Sequence, residues 1–271
     1  MNLTRILSIA FFVISLGLAW YLYYNINSTI EFKEGIVTTE KQITDKLEVI
    51  REAEKAFLEQ YGHYTSDWDS LINFIETGRV AITLRTEKIT QLSYGEEKVE
   101  LKIDTIGYMP AKDRIFKKTY TMNASADGVL MGLMAKPGDY VVKGSGAYRL
   151  KAANKDKAEV YNFTEQGTIT TVTNIAPGTQ ITRGTNLYNL WDYVLNPAVD
   201  IKTLGVVPGS DGKMFDIFVG KVEKNNTKVS VIEVKDPSPI NPERKATNEA
   251  KNRQPLGFGS RVDVGTGGNW E

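Results

Sequence analysis

The stretch RILSIAFFVISLGLAWYLYYNIN, residues 5–27, sets the architecture that the rest of the chain follows. Its one cation, Arg5, precedes nineteen residues without a charged side chain, Ile6 to Tyr24. A helix over this run would be about 28 Å long at ~1.5 Å per residue, close to the hydrocarbon thickness of a bilayer. Because a helix satisfies its own backbone hydrogen bonds in lipid, the stretch predicts a transmembrane helix.

Aromatic residues mark the far end of this predicted span, where Trp20, Tyr21, Tyr23 and Tyr24 cluster. Such rings prefer the headgroup level of a bilayer. A cleaved signal peptide would instead have a shorter apolar core followed by small residues. The chain has no Cys, which excludes a lipoprotein anchor. Residues 1–27 are therefore predicted to form a retained signal anchor, with a buried core helix as the alternative. The predicted anchor side chains are Ile6, Phe11, Phe12, Leu16, Trp20 and Tyr24.

The charges that flank the span predict its orientation. Arg5 and the free amine precede it, whereas Glu31, Lys33 and Glu34 follow it. The positive-inside rule places the N-terminus in the cytoplasm. The sequence thus predicts a single-pass inner-membrane protein with its C-terminal domain in the periplasm.

Composition restricts the chemistry that this protein can perform. Its 33 basic and 33 acidic residues balance, so nothing indicates a nucleic-acid partner. One His and no Cys remove most transition-metal sites and any cysteine nucleophile, and a His-based triad would depend on His63. A phosphate-binding glycine loop and a G-x-S-x-G motif are both missing from the sequence. We therefore expect a protein without enzymatic activity and without a cofactor.

Residues 28–78 are predicted to be helical. Between Thr38 and Tyr61, apolar residues recur with the three- and four-residue spacing of one helix face. Two interpretations remain open: the helix packs on its own domain, or it pairs protomers as a short coiled coil. Polar residues at two heptad positions, Glu40 and Glu54, argue against a long zipper. The predicted partner face consists of Ile43, Leu47, Ile50 and Phe57.

A short helix is predicted after this amphipathic one. Gly62 should end the first helix as a C-terminal cap. Ser66 or Asp67 can cap the next helix, and Gly78 should end it.

After Gly78 the apolar residues alternate with polar ones, which predicts a β-rich domain over residues 79–236. The strands AITLRTEKI and KVELKIDTIGYM flank a YGEE turn. Turns at Asp211-Gly212 and at residues 224–226 predict two hairpins near its end. Residues 237–271 are predicted to hold a short helix opened by Asn241-Pro242-Glu243 and a tail that docks through Trp270.

An internal repeat lies within the β-rich domain. PGDYVVKGSGAYRL, residues 137–150, matches PGTQITRGTNLYNL, residues 177–190. Two copies predict two equivalent tight turns in an inserted β subdomain of about residues 120–195. The repeat resembles the turn of biotinyl/lipoyl-like half-barrels, as in membrane-fusion adaptor proteins, where it links two strands of a flattened barrel sandwich. The Met-Lys pair that carrier domains use for attachment is not found, so no swinging cofactor is expected.

The N-terminal third resembles type IV pilins and type II secretion pseudopilins, in which a hydrophobic helix runs out into a β domain. The similarity covers about 75 residues, and it lacks the Gly-Phe junction and the acidic residue that pilins have in this region. The positions that match the pilin turn are Tyr61, Gly62, Tyr64, Thr65, Asp69 and Leu71. The layout also resembles uncharacterised single-span bacterial envelope proteins. The matching tail positions are Gly259, Ser260, Gly268, Asn269, Trp270 and Glu271.

Together these patterns predict an α+β fold with a transmembrane helix, two further helices and an antiparallel extracytoplasmic β domain. The predicted function is that of a structural or scaffold subunit of a bacterial envelope assembly, such as a secretion, pilus-like or motility apparatus. Its expected partners are the lipid bilayer, envelope proteins and other copies of the chain through the helices. The alternative is a periplasmic adaptor or binding module for a partner protein or peptidoglycan.

Overall fold

The computed structural model describes residues 3–91, 97–152, 155–224 and 226–271, without the side chains of residues 3–10, 85, 87–91 and 97–101. The fold is α+β with a long N-terminal helix and antiparallel sheets, as predicted. The chain forms two compact units. One combines Met1–Arg51 with Thr203–Glu271, and the other is Glu52–Lys202. The domain boundaries predicted after residues 27, 78 and 236 stay a prediction.

Helix α1 is continuous over Leu3–Tyr61 and contributes to both units. The separate membrane and amphipathic helices expected from the sequence are therefore one element. The connecting segment contains no Pro, and Gly35 alone costs about 1 kcal/mol in a helix interior, too little to end a helix that continues on both sides. Gly62 ends α1 as predicted, with φ of 77° and an N–H that donates to the Leu58 carbonyl at 2.8 Å.

Helix α2, Trp68–Thr77, begins and ends at the predicted caps. The Asp67 carboxylate accepts a hydrogen bond from the Ser70 N–H at 3.0 Å. The Gly78 N–H donates to the Phe74 carbonyl at 2.8 Å.

A two-stranded antiparallel hairpin follows, made of β1, Arg79–Gln91, and β2, Glu97–Pro110. The register shifts between Ile82 and Thr83, which marks a β-bulge. The predicted YGEE turn falls largely outside the described residues. The sequence did not predict helix α3, Ala111–Phe116, which returns the chain from this hairpin.

The rest of the second unit is a sandwich of two four-stranded sheets, ordered β3-β10-β8-β5 and β7-β6-β4-β9. The inner residues of both sheets form one core, which includes Leu130, Tyr148, Leu150, Ile169, Leu187 and Tyr188. The strands are β3 Lys117–Asn123, β4 Gly128–Leu133, β5 Tyr140–Val141, β6 Gly146–Ala152, β7 Glu159–Asn162, β8 Gly167–Val172, β9 Gln180–Ile181 and β10 Asn186–Tyr193.

The sequence repeat gives this sandwich an internal pseudo-twofold symmetry. The Gly138 N–H donates to the Ile169 carbonyl at 2.8 Å, and the Gly178 N–H donates to the Leu130 carbonyl at 2.7 Å. Both glycines have a φ near +90°, a conformation that a side chain would strain. The two turns are equivalent, as predicted, and the pseudo-symmetry exchanges the two sheets strand for strand.

Within the first unit, three antiparallel strands lie in the order β11-β12-β13. Their bounds are Asp216–Lys224, Thr227–Lys235 and Gly257–Gly259. The predicted turn at Asp211-Gly212 is present, with φ values of 52° and 86°. The described residues before it do not form the predicted strand, and the expected hairpin is reduced to an isolated bridge between Val206 and Met214. In the other predicted turn, Asn225 lies outside the described residues.

The helix predicted at Asn241 is wrong. The Asn241 side-chain oxygen accepts from the Glu243 N–H at 3.0 Å, and the Arg244 N–H donates to the Asn241 carbonyl at 3.0 Å. These local bonds close one turn, which does not continue as a helix because the next N–H, that of Lys245, donates to the Arg253 carbonyl at 3.0 Å instead of to a carbonyl one turn back. Within residues 237–271 the helical element is a 3₁₀ turn, Lys251–Arg253.

The C-terminal tail docks on α1, as predicted from Trp270. The Trp270 Nε1–H donates to the Glu48 carboxylate at 3.4 Å, and the Arg51 guanidinium lies 5.7 Å from the centre of the Trp270 ring. Arg51 also pairs with the carboxylate of Glu271.

Candidate membrane and partner surfaces

The first part of α1 exposes an apolar surface. Between Phe11 and Val37, fifteen large apolar side chains are each 47–74% exposed, with Trp20 the most open. They are Phe11, Phe12, Val13, Ile14, Leu16, Leu18, Trp20, Tyr21, Leu22, Tyr23, Tyr24, Ile26, Ile30, Phe32 and Val37. Five of the six predicted anchor residues belong to this set, and the side chain of the sixth, Ile6, lies outside the described residues.

Polar side chains in the same segment bond to the helix itself. The hydroxyls of Ser15 and Thr29 donate to the carbonyls of Phe12 and Asn25, each at 2.8 Å. The Asn25 amide donates to the Tyr21 carbonyl at 3.1 Å. Such back-bonding satisfies a polar group without water, which is what a helix needs in an apolar medium. Over the residues that the structure describes, none of the helices has the length and apolar character needed to cross a membrane.

The predicted partner face of α1 is already covered within the chain. Ile43, Leu47 and Ile50 are at most 1% exposed, and Phe57 is 8% exposed. Of the two interpretations left open by the sequence, the structure has the helix packed on its own domain. The protein's own folding has removed this face from water.

Both polar heptad positions of α1 have a structural explanation. Glu40 accepts from the Arg244 Nε at 2.6 Å and from the Asn241 amide at 3.0 Å. Glu54 is fully buried, and one of its carboxylate oxygens accepts from the Thr65 N–H at 3.1 Å. The other oxygen, Oε1, has no hydrogen-bond partner among the described residues. Burial raises the pKa of Glu54 from 4.5 to about 8, although the Thr65 hydrogen bond opposes the shift.

An open cavity of about 590 Å³ lies at the base of the β1–β2 hairpin. An ion pair between Glu59 and Arg114, 2.7 Å apart, lies at its margin. Its other lining residues are Val80, Ala81, Ile82, Thr83, Ile103 and Met109. Apolar side chains on the hairpin are 39–64% exposed and include Ile82, Leu84, Ile103, Ile106 and Tyr108.

The outer faces of the two sandwich sheets differ in chemistry. On the β3-β10-β8-β5 sheet, the Thr121 hydroxyl donates to the Asn189 side-chain oxygen at 3.1 Å. The Asn189 amide in turn donates to the Thr171 hydroxyl at 2.9 Å. The cross-strand row at the equivalent positions of the other sheet is Val160, Arg149 and Gly132. The side chains in this row are thus joined by hydrogen bonds on one outer face and are not joined on the other.

His63, on which a His-based triad would depend, makes contacts within the fold. The His63 ring contacts the Phe57 ring at 5.7 Å, and its Nδ1 lies 3.0 Å from the Tyr61 carbonyl oxygen. Asp67 is a helix cap. In the part of the chain that the structure describes, no group of three or more His, Asp or Glu side chains is placed to hold a metal ion.

Comparisons with known proteins give little further guidance. No family model and no curated protein matches the chain. Among solved structures, a putative succinylglutamate desuccinylase/aspartoacylase family protein from Shewanella amazonensis matches 28% of this chain and 22% of its own, at 14% identity and a TM-score of 0.24. A single-chain, multi-domain long-chain acyl-CoA carboxylase matches 32% of this chain and 8% of its own, at 16% identity and a TM-score of 0.24. At these scores neither match bears on the fold or the activity.

Proposed function

We propose that this protein is a membrane-anchored, non-enzymatic structural subunit of a bacterial envelope assembly. The apolar surface of α1 between Phe11 and Val37 is the observation that carries the proposal. Fully burying a large apolar side chain contributes about 1.5–3 kcal/mol, so covering the exposed part of these fifteen side chains represents on the order of 10–30 kcal/mol. That is as large as the ~5–15 kcal/mol stability of an ordinary domain. Lipid is the medium that can cover all sides of a helix.

The length of α1 suits the role of a support. Its 59 residues extend about 88 Å at ~1.5 Å per residue, roughly three times the hydrocarbon thickness of a bilayer. A helix anchored by its first part would therefore continue well beyond the membrane and carry folded β structure. The pilin-like order of elements in the first 75 or so residues is consistent with a secretion, pilus-like or motility apparatus in the inner membrane. Contacts between copies would use the exposed segment of α1, since the buried partner face is occupied.

Membrane extraction tests the anchor. The full-length chain should stay in the pellet after carbonate washing. Leu16→Arg combined with Leu18→Arg should release it, because each charge at the centre of a span costs about 2.5–3.5 kcal/mol. Val262→Arg is the matched control, since Val262 is 83% exposed outside the helix. Recovery of the unaltered chain with its original N-terminus in the supernatant would refute the anchor.

Crosslinking in intact membranes tests the assembly. A structural subunit should give a ladder of self-crosslinked products through the exposed part of α1. The second candidate, a periplasmic adaptor that binds a partner protein or peptidoglycan, would give one heterologous product instead. The unequal outer faces of the sandwich support this second candidate, because, among the described residues, Arg149 and Val160 lack the cross-strand side-chain hydrogen bonds that join Thr121, Asn189 and Thr171 on the other face.

A further inference from the structure

We propose that the outer face of the β7-β6-β4-β9 sheet binds an extended peptide segment that presents apolar side chains and a carboxylate. The face is formed by Met131, Met134, Arg149, Lys151 and Val160. The proposal does not depend on membrane anchoring, because it rests on the sandwich alone.

The pseudo-twofold symmetry supplies an internal comparison. Strand β6 corresponds to β10 and β4 corresponds to β8, and even the register shift in β4 recurs in β8. Met131, Met134 and Val160 therefore correspond to Thr170, Thr173 and Thr121. Since the same backbone is built with threonines on the other sheet, folding of the sandwich does not require apolar side chains at these positions. At these three positions apolar side chains occur on one sheet alone, which points to a contact that the folded chain does not make.

The geometry of the face leaves room for a ligand backbone. Met131, Met134 and Val160 are 49%, 53% and 46% exposed. Gly132 has no side chain, and an added Cβ there would meet nothing within 4 Å. A Cβ on Gly146 would lie 3.2 Å from atoms of both Met134 and Val160, so these two side chains meet over the glycine. Methionine adapts its shape to irregular partners, which suits a peptide surface.

The positive charges on this face indicate that its partner carries a carboxylate. Arg149 and Lys151 alternate along β6 with the buried Tyr148 and Leu150, so both cations lie on the outer face. Among the described residues, neither forms an ion pair or a side-chain hydrogen bond. A guanidinium beside apolar side chains recognises a carboxylate by charge-assisted hydrogen bonds. An anionic lipid surface is the rival occupant, but membrane-surface sites favour protruding Trp and Phe, which these positions lack.

Methionine-methyl NMR on the full chain in zwitterionic nanodiscs tests the proposal. The six methionines give separable probes, and Met122, which is 5% exposed, reports the fold. The probe is the acetylated, amidated peptide VSESLS, whose apolar and acidic side chains share one face when extended. It should shift the Met131 and Met134 signals and leave Met122 unchanged. The charge-reversed peptide VSKSLS and the apolar-free SSESSS should each bind at least tenfold more weakly.

Variants taken from the symmetry-related face complete the test. Arg149→Asn copies Asn189 and should weaken binding of VSESLS about tenfold with the Met122 signal unchanged. Thr121→Val on the polar face is the matched control and should bind like the natural chain. Unshifted Met131 and Met134 signals at millimolar peptide, or equal binding of VSKSLS, would overturn the proposal. So would signals that move when anionic lipid replaces the zwitterionic lipid, because the occupant would then be the membrane. None of these results decides whether the chain is anchored, because all of them report on the face of the sandwich.

Discussion

Glu54 links the end of α1 to the pH dependence of stability. In the folded chain its pKa is about 8, because burial disfavours the carboxylate, and in the unfolded chain it returns to about 4.5. Below pH 4.5 both states hold the proton and there is no penalty. As pH rises towards 8 the unfolded state releases its proton first, so stability falls. The difference between these two pKa values lowers the free energy of unfolding by at most about 5 kcal/mol, at about 1.4 kcal/mol per pKa unit.

Glu54→Gln should remove this penalty. The amide oxygen can still accept from the Thr65 N–H, so we expect little change in the free energy of unfolding at pH 4.5 and a gain of about 2–4 kcal/mol at pH 8. Thermal or urea unfolding at the two pH values measures the difference. Glu76→Gln, on the exposed side of α2, is the control and should keep the natural pH slope. An unchanged slope in Glu54→Gln would show that another group, such as the buried Asp236, dominates.

The backbone conformation at residue 259 and the close approach of a neighbouring strand require glycine there. The φ of Gly259 is +83°, and a Cβ would lie 2.0 Å from the Ile232 carbonyl oxygen. Gly259→Ala should therefore lower the free energy of unfolding by about 3 kcal/mol through strain and overlap. Gly265→Ala is the matched control in the same tail, because its added Cβ would approach nothing nearer than 3.9 Å. Chemical denaturation of the two variants measures the contrast, and equal losses would contradict the explanation.

At the scale of elements, Arg244 holds residues 241–254 in place, the segment in which the predicted helix is absent. Its guanidinium pairs with Glu40 of α1 and donates to the carbonyls of Asn252 and Gln254 at 2.8 and 3.0 Å. Arg244→Ala would leave a partly buried carboxylate and two carbonyls without this donor, at a cost of about 2–4 kcal/mol. Hydrogen exchange should then accelerate over residues 241–254. Arg244→Lys should recover part of the protection, and the exposed Arg253→Ala should have no effect.

Local sequence patterns predicted the elements that local chemistry controls. The caps of α2 follow from Asp67 and Gly78, and the two sandwich turns follow from glycines that need positive φ. The sequence did not predict that α1 runs unbroken through Gly35. A single glycine disfavours a helix, but it does not indicate how strongly the residues on either side favour one. The predicted helix after Asn241 did not form because the Lys245 N–H bonds to the Arg253 carbonyl, a partner that the local sequence does not show.

At the scale of the whole molecule, long-range pairing was beyond sequence reasoning. The unit that combines Met1–Arg51 with Thr203–Glu271 depends on contacts between residues about two hundred positions apart, such as Glu40 with Arg244. Periodicity showed that Ile43, Leu47 and Ile50 need a cover but not that the same chain provides it. The burial of Glu54 and the asymmetry of the sandwich faces likewise became visible once the strands were paired.

The proposed topology makes a prediction about the complete chain in its membrane. The protein has no Cys, so single substitutions give clean labelling sites. Val262→Cys, at a position 83% exposed, should react with a membrane-impermeant maleimide once the outer membrane is opened. Asn2→Cys should react only after the inner membrane is broken, because the positive-inside rule places that end in the cytoplasm. Leu204→Cys, at a position 0% exposed, should stay unlabelled until the protein is denatured and serves as the control for folding. Labelling of both Asn2→Cys and Val262→Cys from the periplasmic side would mean that no span separates them, whereas the reverse pattern would invert the orientation while leaving the anchor in place.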